Sequence, residues 1–268
     1  MSIVTLTTDW HKSDHYIGFV KGKLLQQNLQ TQIIDISHQI SLYDISEAAF
    51  VLSSCYDCYP KGTVHFIGVN TDLTPKRGML IIEHNEHKFI CSDCGIPNLL
   101  FPEIEIKVWK VNNELIKASS PMDAFIHITG ELANGKACDT LGSITNDYSK
   151  QIPFLPVIDE NEIGSRVIYI DSYANIITNL KKDVFEQVRK GRAFKIFLQS
   201  NFYVIDTISN SYLDKAAGDL VAIFNNTGNL EIAVVYGAAS ELLNISKGGS
   251  IRIQFFKENN DVLKLSGN

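Results

Sequence analysis

The sequence contains no apolar run approaching the roughly 20 residues needed to cross a bilayer. Its opening, MSIVTLTTDWHK, also lacks the basic segment and long apolar stretch of a secretory leader. A cytoplasmic protein without a membrane partner is expected. Basic residues are not in excess either: 24 Lys and Arg stand against 30 Asp and Glu, a formal charge of −6. Proteins that hold a phosphate backbone cluster Lys and Arg to displace counterions, so nucleic acid is not an expected partner. No Gly-x-Gly-x-x-Gly and no Gly-x-x-x-x-Gly-Lys-Ser/Thr loop occurs, so a phosphate cradle is not indicated. Internal repeats, heptads and low-complexity tracts are missing as well.

Five cysteines are present, four of them in two C-x-x-C pairs, Cys55/Cys58 and Cys91/Cys94, with Cys138 apart. Two such pairs can hold a tetrahedral zinc. The gap from Cys58 to Cys91 exceeds the roughly 15–20 residues of a compact zinc ribbon. Cys55 and Cys58 follow an apolar helical pattern, where thiols act as core filler, and Cys91 and Cys94 lie between a strand-like run and Gly95. Buried free thiols, no bound metal and no disulfide framework are expected.

The 268 residues suit one large domain or two modest ones. The first half alternates β-branched runs with helical patterns, the signature of a layered α/β domain with a largely parallel sheet. Strands are expected at Ile3 to Leu6, Gln32 to Ile36, Thr63 to Val69, Met79 to Glu83, Lys88 to Cys91 and Ile104 to Val108. Helices are expected from Asp14 to Leu25, from a Ser46 cap through Leu52, and from Pro121 to Leu132, the last closed by Asn134-Gly135. Pro153 and Pro156 break this rhythm. An α/β domain over residues 1–152, a linker over 153–162 and a smaller antiparallel β-barrel-like domain over 163–268 follow. In the second half, strands are expected at Arg166 to Asp171, Ala193 to Leu198, Leu220 to Phe224, Leu230 to Val235 and Ser250 to Phe255.

Ligands of open α/β sheets bind outside the carboxyl ends of the strands. Polar residues follow three apolar runs there: Thr7-Thr8-Asp9, Asp35-Ile36-Ser37-His38 and Asn70-Thr71-Asp72. A carboxylate such as Asp9 can accept hydrogen bonds from two vicinal ribose hydroxyls or cap the following helix. Periodicity alone favours capping. His65, inside an apolar strand, reads as a hydrogen-bonded core residue, and His84 and His87, around a polar hairpin, read as solvated. His15 and His38 lie nearer the strand ends, and either could offer a proton site.

An ordered set of segments carries a more specific signal. It comprises Thr7-Thr8-Asp9, Asp14 with Tyr16-Ile17-Gly18, Ile34-Asp35-Ile36-Ser37-His38, Asp44-Ile45 with Ala48-Ala49-Phe50, and Pro60-Lys61-Gly62-Thr63-Val64-His65. Later come Ile170-Asp171 with Tyr173-Ala174-Asn175, Thr178-Asn179, Phe224-Asn225-Asn226-Thr227-Gly228 and Leu230-Glu231-Ile232-Ala233. Together they resemble the S-adenosylmethionine hydroxide adenosyltransferases, the family that includes the fluorinase and chlorinase enzymes. The resemblance implies a homotrimer with sites between subunits. It also implies substitution at the ribose C5′ of S-adenosylmethionine, releasing adenosine and L-methionine with no cofactor. The leaving group is already a sulfonium cation, so the work left is positioning and desolvation.

The resemblance places the ribose acceptor at Asp9, an aromatic position at Tyr43, and groups for the methionine end at Asp171, Asn175 and Asn226, with Asp14 and Tyr173 among the substrate-binding positions. The family's catalytic Asp, Arg and His fall on Asn70, Arg77 and Ser120. Only the arginine is kept; Asp72, two positions on, could replace the lost carboxylate. His11 and Ala174 stand where the family has glycines, and Cys94 where it has an asparagine. His127, about 10 Å further along its helix than the family's histidine, is no replacement. A binding module without turnover is the alternative reading, and a halide transferase a third, for which no separate anion-holding feature is present.

Overall fold

The computed structural model describes residues 2–11, 14–117, 120–198 and 200–256, and the chain divides into two units between Pro153 and Phe154. The first unit begins with Ile3–Thr8 (β1), His15–Gln27 (α1), Gln32–Ser37 (β2), Ile45–Ser53 (α2), Val64–Gly68 (β3), Met79–His84 (β4) and His87–Ser92 (β5). It continues with Ile96–Leu100 (α3), Lys107–Val111 (β6), Asn113–Lys117 (α4), Pro121–Ala133 (α5), Cys138–Leu141 (α6) and Gly142–Ile144 (β7). The sheet order is β2-β1-β3-β5-β4-β6-β7. Strands β2, β1, β3 and β5 are parallel, and β4, β6 and β7 extend the sheet antiparallel.

Alternation along the strands builds a core on each face of this sheet. Val4, Leu6, Phe66, Met79, Ile81 and Ile90 pack with Val20 and Leu24 of α1 and Phe125 and Ile128 of α5. Ile67, Leu80, Ile82, Phe89 and Cys91 pack with Ala48, Ala49 and Leu52 of α2 and Ile96 and Leu100 of α3. Helices α1 and α2 therefore cover opposite faces, and the chain changes direction between β1 and β3. Ser120 caps α5, its hydroxyl accepting from Asp123 N (3.2 Å), with Pro121 at the first turn. The α2 cap is Asp44 rather than the expected Ser46: its carboxylate accepts from Glu47 N (2.9 Å) one turn ahead. The strand expected at Ile104 to Val108 lies three residues later.

The second unit contains Val157–Ile158 (β8), Glu162–Ile170 (β9), Ile176–Lys181 (β10), Lys182–Arg189 (α7), Ala193–Leu198 (β11), Ser200–Ile205 (β12), Leu220–Phe224 (β13), Asn229–Val234 (β14), Ala239–Leu243 (α8) and Ser250–Phe256 (β15). An antiparallel sheet of order β12-β11-β15-β9-β10-β14-β13, with β8 on β9, curls into a nearly closed barrel around Phe185, Phe194 and Phe255. The segment 153–162, expected as a linker, carries β8 and the start of β9. Strands β10 and β12 and helix α7 had no counterpart in the sequence reading. Thr178 and Asn179 interrupt the apolar pattern of β10, and α7 buries a single large side chain, Phe185. No helix among the described residues is long and apolar enough to cross a membrane.

All five cysteines are free. Cys91, Cys94 and Cys138 are buried, but Cys55 is half-buried and Cys58 exposed, since α2 ends before them and the short helical turn Tyr56–Cys58 buries no residue. Burial pushes the Cys55 thiol up to about 11.

His65 lies in the core as expected. His87, expected in solvent, is buried beside it, because its strand pairs with β3 through the register that sets Lys88 opposite Val64. Thr5 Oγ1 lies 2.8 Å from His65 Nδ1, and His65 Nε2 lies 3.1 Å from His87 Nδ1. Phe89 stacks on the His65 ring. Burial, and then the neighbouring His87, lower His65 from its ordinary 6.5 to about 3.

Two residues take left-handed backbone where the family resemblance expects glycine, His11 (φ 57°) and Ala174 (φ 61°). A Cβ in that conformation costs roughly 1–2 kcal/mol. Ala174→Gly, freed of that strain but with a more flexible unfolded chain, is expected to stabilise the protein by roughly 0.5–1 kcal/mol in urea unfolding. For His65 the linkage sign is fixed by its lowered folded value. Below pH 6.5 the unfolded chain takes up a proton that the folded chain refuses until about pH 3, so stability falls across that window. Between pH 7 and 4.5 this one ring is expected to remove about 2–3 kcal/mol. The loss should be smaller by that amount in His65→Gln, measured by urea unfolding at both pH values; an unchanged difference would refute the assignment.

Candidate active site

Because β2, β1, β3 and β5 run parallel, the loops after them open on one edge of the sheet, the edge at which open α/β sheets bind ligands. The end of β3 is kept thin. A Cβ on Gly68 would stand 2.7 Å from the Trp10 ring and 2.9 Å from the Thr8 methyl, so the loop after β1 lies flat against the neighbouring strand. Asp9 N donates to Gly68 O (3.4 Å). Its carboxylate is 6% exposed and accepts from Tyr43 N (2.9 Å) across the loop after β2. Tyr43 takes left-handed backbone (φ 62°) and is 65% exposed.

Asn70 emerges from β3 in left-handed backbone (φ 52°), which asparagine tolerates better than most residues. Its carbonyl accepts from Ser92 Oγ (2.7 Å), and its side-chain Oδ1 accepts from Arg77 Nη1 (2.9 Å). A tight turn sends the arginine back: Thr74 and Arg77 exchange two backbone hydrogen bonds of 3.0 Å each, and Thr74 Oγ1 accepts from Arg77 N (3.1 Å). Pro75 at the second position suits such a turn. Beside the pair is an open cleft of about 520 Å³ lined by Asp72, Thr74, Lys76, Arg77, Asp93, Cys94, Ser149 and Gln151. Asp72 is exposed, whereas Asp93 is buried and its Oδ1 accepts from Ser149 N (2.7 Å).

The expected site residues therefore separate into those that meet and those that do not. Asn70 and Arg77 are bonded and Asp72 shares the cleft with the arginine. Asp9 and Tyr43 are joined by one hydrogen bond. Ser120 instead donates to Asp123 Oδ2 (2.7 Å) while capping α5, a role that explains a serine there without chemistry. Asp14 caps α1 through His15 N (2.8 Å), with the His15 ring 3.0 Å from the same carboxylate. His127 is exposed on α5.

In the second unit Asp171 organises the loop after β9. Oδ1 accepts from Tyr173 N (2.9 Å) and Asn175 N (2.8 Å), and Oδ2 from Asn175 Nδ2 (3.1 Å). Asn175 is buried and Tyr173 is exposed. Asn226 is exposed in the turn that Gly228 N closes on Asn225 O (2.9 Å). Nearby, the buried Glu231 accepts from Tyr212 Oη (2.5 Å) and Asn225 Nδ2 (3.0 Å). Burial, then this carboxylate, push the Tyr212 hydroxyl above its ordinary value.

Asp93, Ser149 and Gln151 of the cleft were not expected as site residues, whereas Thr8 and His38, which meet behind Asp9, both stood among the strand-end candidates. Asp93 and Thr8 follow the strand-end rule already used; Ser149 and Gln151 come from a distant segment and carry no such signal. Among the described residues no three His, Cys, Asp or Glu side chains converge as a metal ligand set.

Residues 4–142 match the SAM hydroxide adenosyltransferase N-terminal domain, and residues 165–252 match the C-terminal domain. The chain is 28% identical over 272 residues to the (R)-S-adenosyl-L-methionine hydrolase of Methanocaldococcus jannaschii, covering 94% of this chain and 96% of that one. It is 20% identical over 260 residues to the hydrolase of the same name from Salinispora tropica, covering 93% and 97%. In fold it resembles the crystal structure of an uncharacterized conserved protein from Thermotoga maritima, with a TM-score of 0.84 at 24% identity over 94% of this chain and 99% of that one. With both domains matched in order, the first over more than half of the sequence, the chain belongs to the SAM hydroxide adenosyltransferase family.

Proposed function

We propose that this protein hydrolyses S-adenosylmethionine to adenosine and L-methionine by attack of water at the ribose C5′. The observation that carries this reading is the Arg77–Asn70 pair beside the cleft at the carboxyl ends of β3 and β5. Asp9, a buried carboxylate at the same edge, supports it as the acceptor for the ribose hydroxyls. The hydrolases named for M. jannaschii and S. tropica support the substrate.

In the reaction an O–C5′ bond forms as the C5′–S bond breaks, and the electron pair of the broken bond neutralises the sulfonium. No acid or cofactor is needed to expel methionine, so catalysis rests on alignment and dehydration. Asn70 Oδ1 is occupied by Arg77, which leaves the amide Nδ2 as a donor. Donors fix one lone pair of the water and leave the other for C5′. An amide cannot take the water's proton; Asp72, on the same cleft, is the carboxylate that receives it. The methionine end is assigned to Asp171, Asn175 and Asn226, with Tyr173 beside them. Tyr43 packs on the nucleoside, and Asp14 orders the neighbouring loop.

We further propose a cytoplasmic homotrimer with sites shared between subunits. Supporting it, Phe154, Leu155, Val157 and Ile158 of the second unit are each more than half exposed, an apolar run of the kind that marks an interface. Light scattering should return three chains per particle.

Incubating the purified protein with S-adenosylmethionine should yield adenosine and methionine in equal amounts above the spontaneous rate. Calorimetric binding without products would refute hydrolysis. Asn70→Asp restores a proton acceptor opposite Arg77 and should raise kcat about tenfold or more with little change in KM; an unchanged kcat would show that the water is not held at this pair.

A further inference from the structure

We propose that His38 is the positioning residue that sets the carboxylate of Asp9 for the ribose hydroxyls, through a buried hydrogen bond to Thr8. The inference rests on the reading of Asp9 given above.

A carboxylate that accepts from two vicinal hydroxyls must be held in one orientation. The loop that carries Asp9 and the loop that donates Tyr43 N to it follow different strands, β1 and β2, and each includes a residue in left-handed backbone, His11 and Tyr43. Each of these residues is strained in that backbone, so bonds between the two loops contribute to holding them. His38 supplies two. Its ring Nδ1 lies 2.8 Å from Thr8 Oγ1, next to Asp9, and its carbonyl accepts from His11 N (2.9 Å), on the other side of Asp9. Ile40 N adds a third bond to Thr8 O (3.3 Å). Thr8 is fully buried and His38 is 5% exposed, so this hydrogen bond forms out of reach of water and its loss leaves a buried hydroxyl unpaired.

The far side of the ring is set as well. Nε2 lies 3.1 Å from Asp35 Oδ1, at ion-pair distance but outside hydrogen-bond geometry. Asp35 Oδ2 accepts from Lys21 Nζ of α1 (2.6 Å). Burial raises the Asp35 carboxyl, but the Lys21 hydrogen bond and the adjacent His38 outweigh it and hold the group below the usual carboxylate range. A line of contacts thus runs from the surface of α1 through Asp35 and His38 to Thr8. The ring meets protein on both sides, with Nδ1 engaged by Thr8, which suits positioning and not proton transfer to a ligand.

The test is a chemical cycle read by calorimetry with adenosine and 2′,3′-dideoxyadenosine. The second ligand lacks both hydroxyls and cannot register how Asp9 is oriented. His38→Ala should weaken adenosine about tenfold, the weight of one well-placed hydrogen bond to a charged group, and leave the dideoxy ligand within about twofold. Thr8→Val, which removes the other end of the same bond while keeping the ring, should reproduce this pattern. His38→Asn, with a polar atom near the Nδ1 position, should recover most of the loss. Equal weakening of both ligands in His38→Ala would mean general damage and would overturn the proposal. So would an unchanged adenosine affinity in His38→Ala or Thr8→Val while Asp9→Ala still removes the preference for adenosine. If Asp9→Ala itself leaves that preference intact, the ribose reading fails first and this inference falls with it.

Discussion

The parallel pairing of β1 between β2 and β3, with α1 and α2 on opposite faces, is the constraint from which the rest of the first unit follows. Parallel strands aligned side by side send their following loops to one edge. Asp9, Asn70 and Asp93 are brought to one edge in this way although they are spread over most of a hundred residues. Gly68 matters for the same reason: only a residue without a side chain lets the Trp10 loop lie against the end of β3.

Within that edge the chemistry turns on charge. A carboxylate opposite Arg77 would give an ion pair able to take a proton, whereas Asn70 gives a neutral acceptor on one side and a donor on the other. The hydrogen bond from Arg77 is made either way, but only a carboxylate at this position could also take a proton. Ser120 shows the complementary case, since its hydroxyl and the Pro121 that follows satisfy the start of α5. The local demand for a helix cap is enough to account for it. The carboxylates remaining at the cleft, Asp72 and Asp93, differ in environment: one is exposed and the other is buried against Ser149.

The two buried histidine networks lie at opposite ends of the parallel strands and behave differently. His65 and His87, toward the starts of β3 and β5, face each other without a carboxylate in hydrogen-bonding contact, and burial disfavours their charged forms. His38, just past the end of β2, stands beside Asp35 and joins the loops around Asp9. One histidine pair thus ties stability to pH, while the other histidine ties two loops together.

Much of this was legible in the sequence. Apolar alternation and β-branched runs located β1 to β5, because in β1, β3, β4 and β5 burial on both faces leaves few other compositions possible. The ordered motifs identified the family. Boundaries were less legible: Asp44 and Ser46 are both good caps, and only the hydrogen bond to Glu47 N chooses between them. His87 read as solvated because its neighbours are charged, yet strand register turns it inward. What sequence alone determined were the strands of the parallel sheet, the family and the residue types at the sheet edge, since these depend on local pattern. What the tertiary structure decided was partnership: Arg77 with Asn70, Ser120 with Asp123, and His38 with Thr8. Hydrogen bonds depend on distances across the fold that no spacing along the chain encodes.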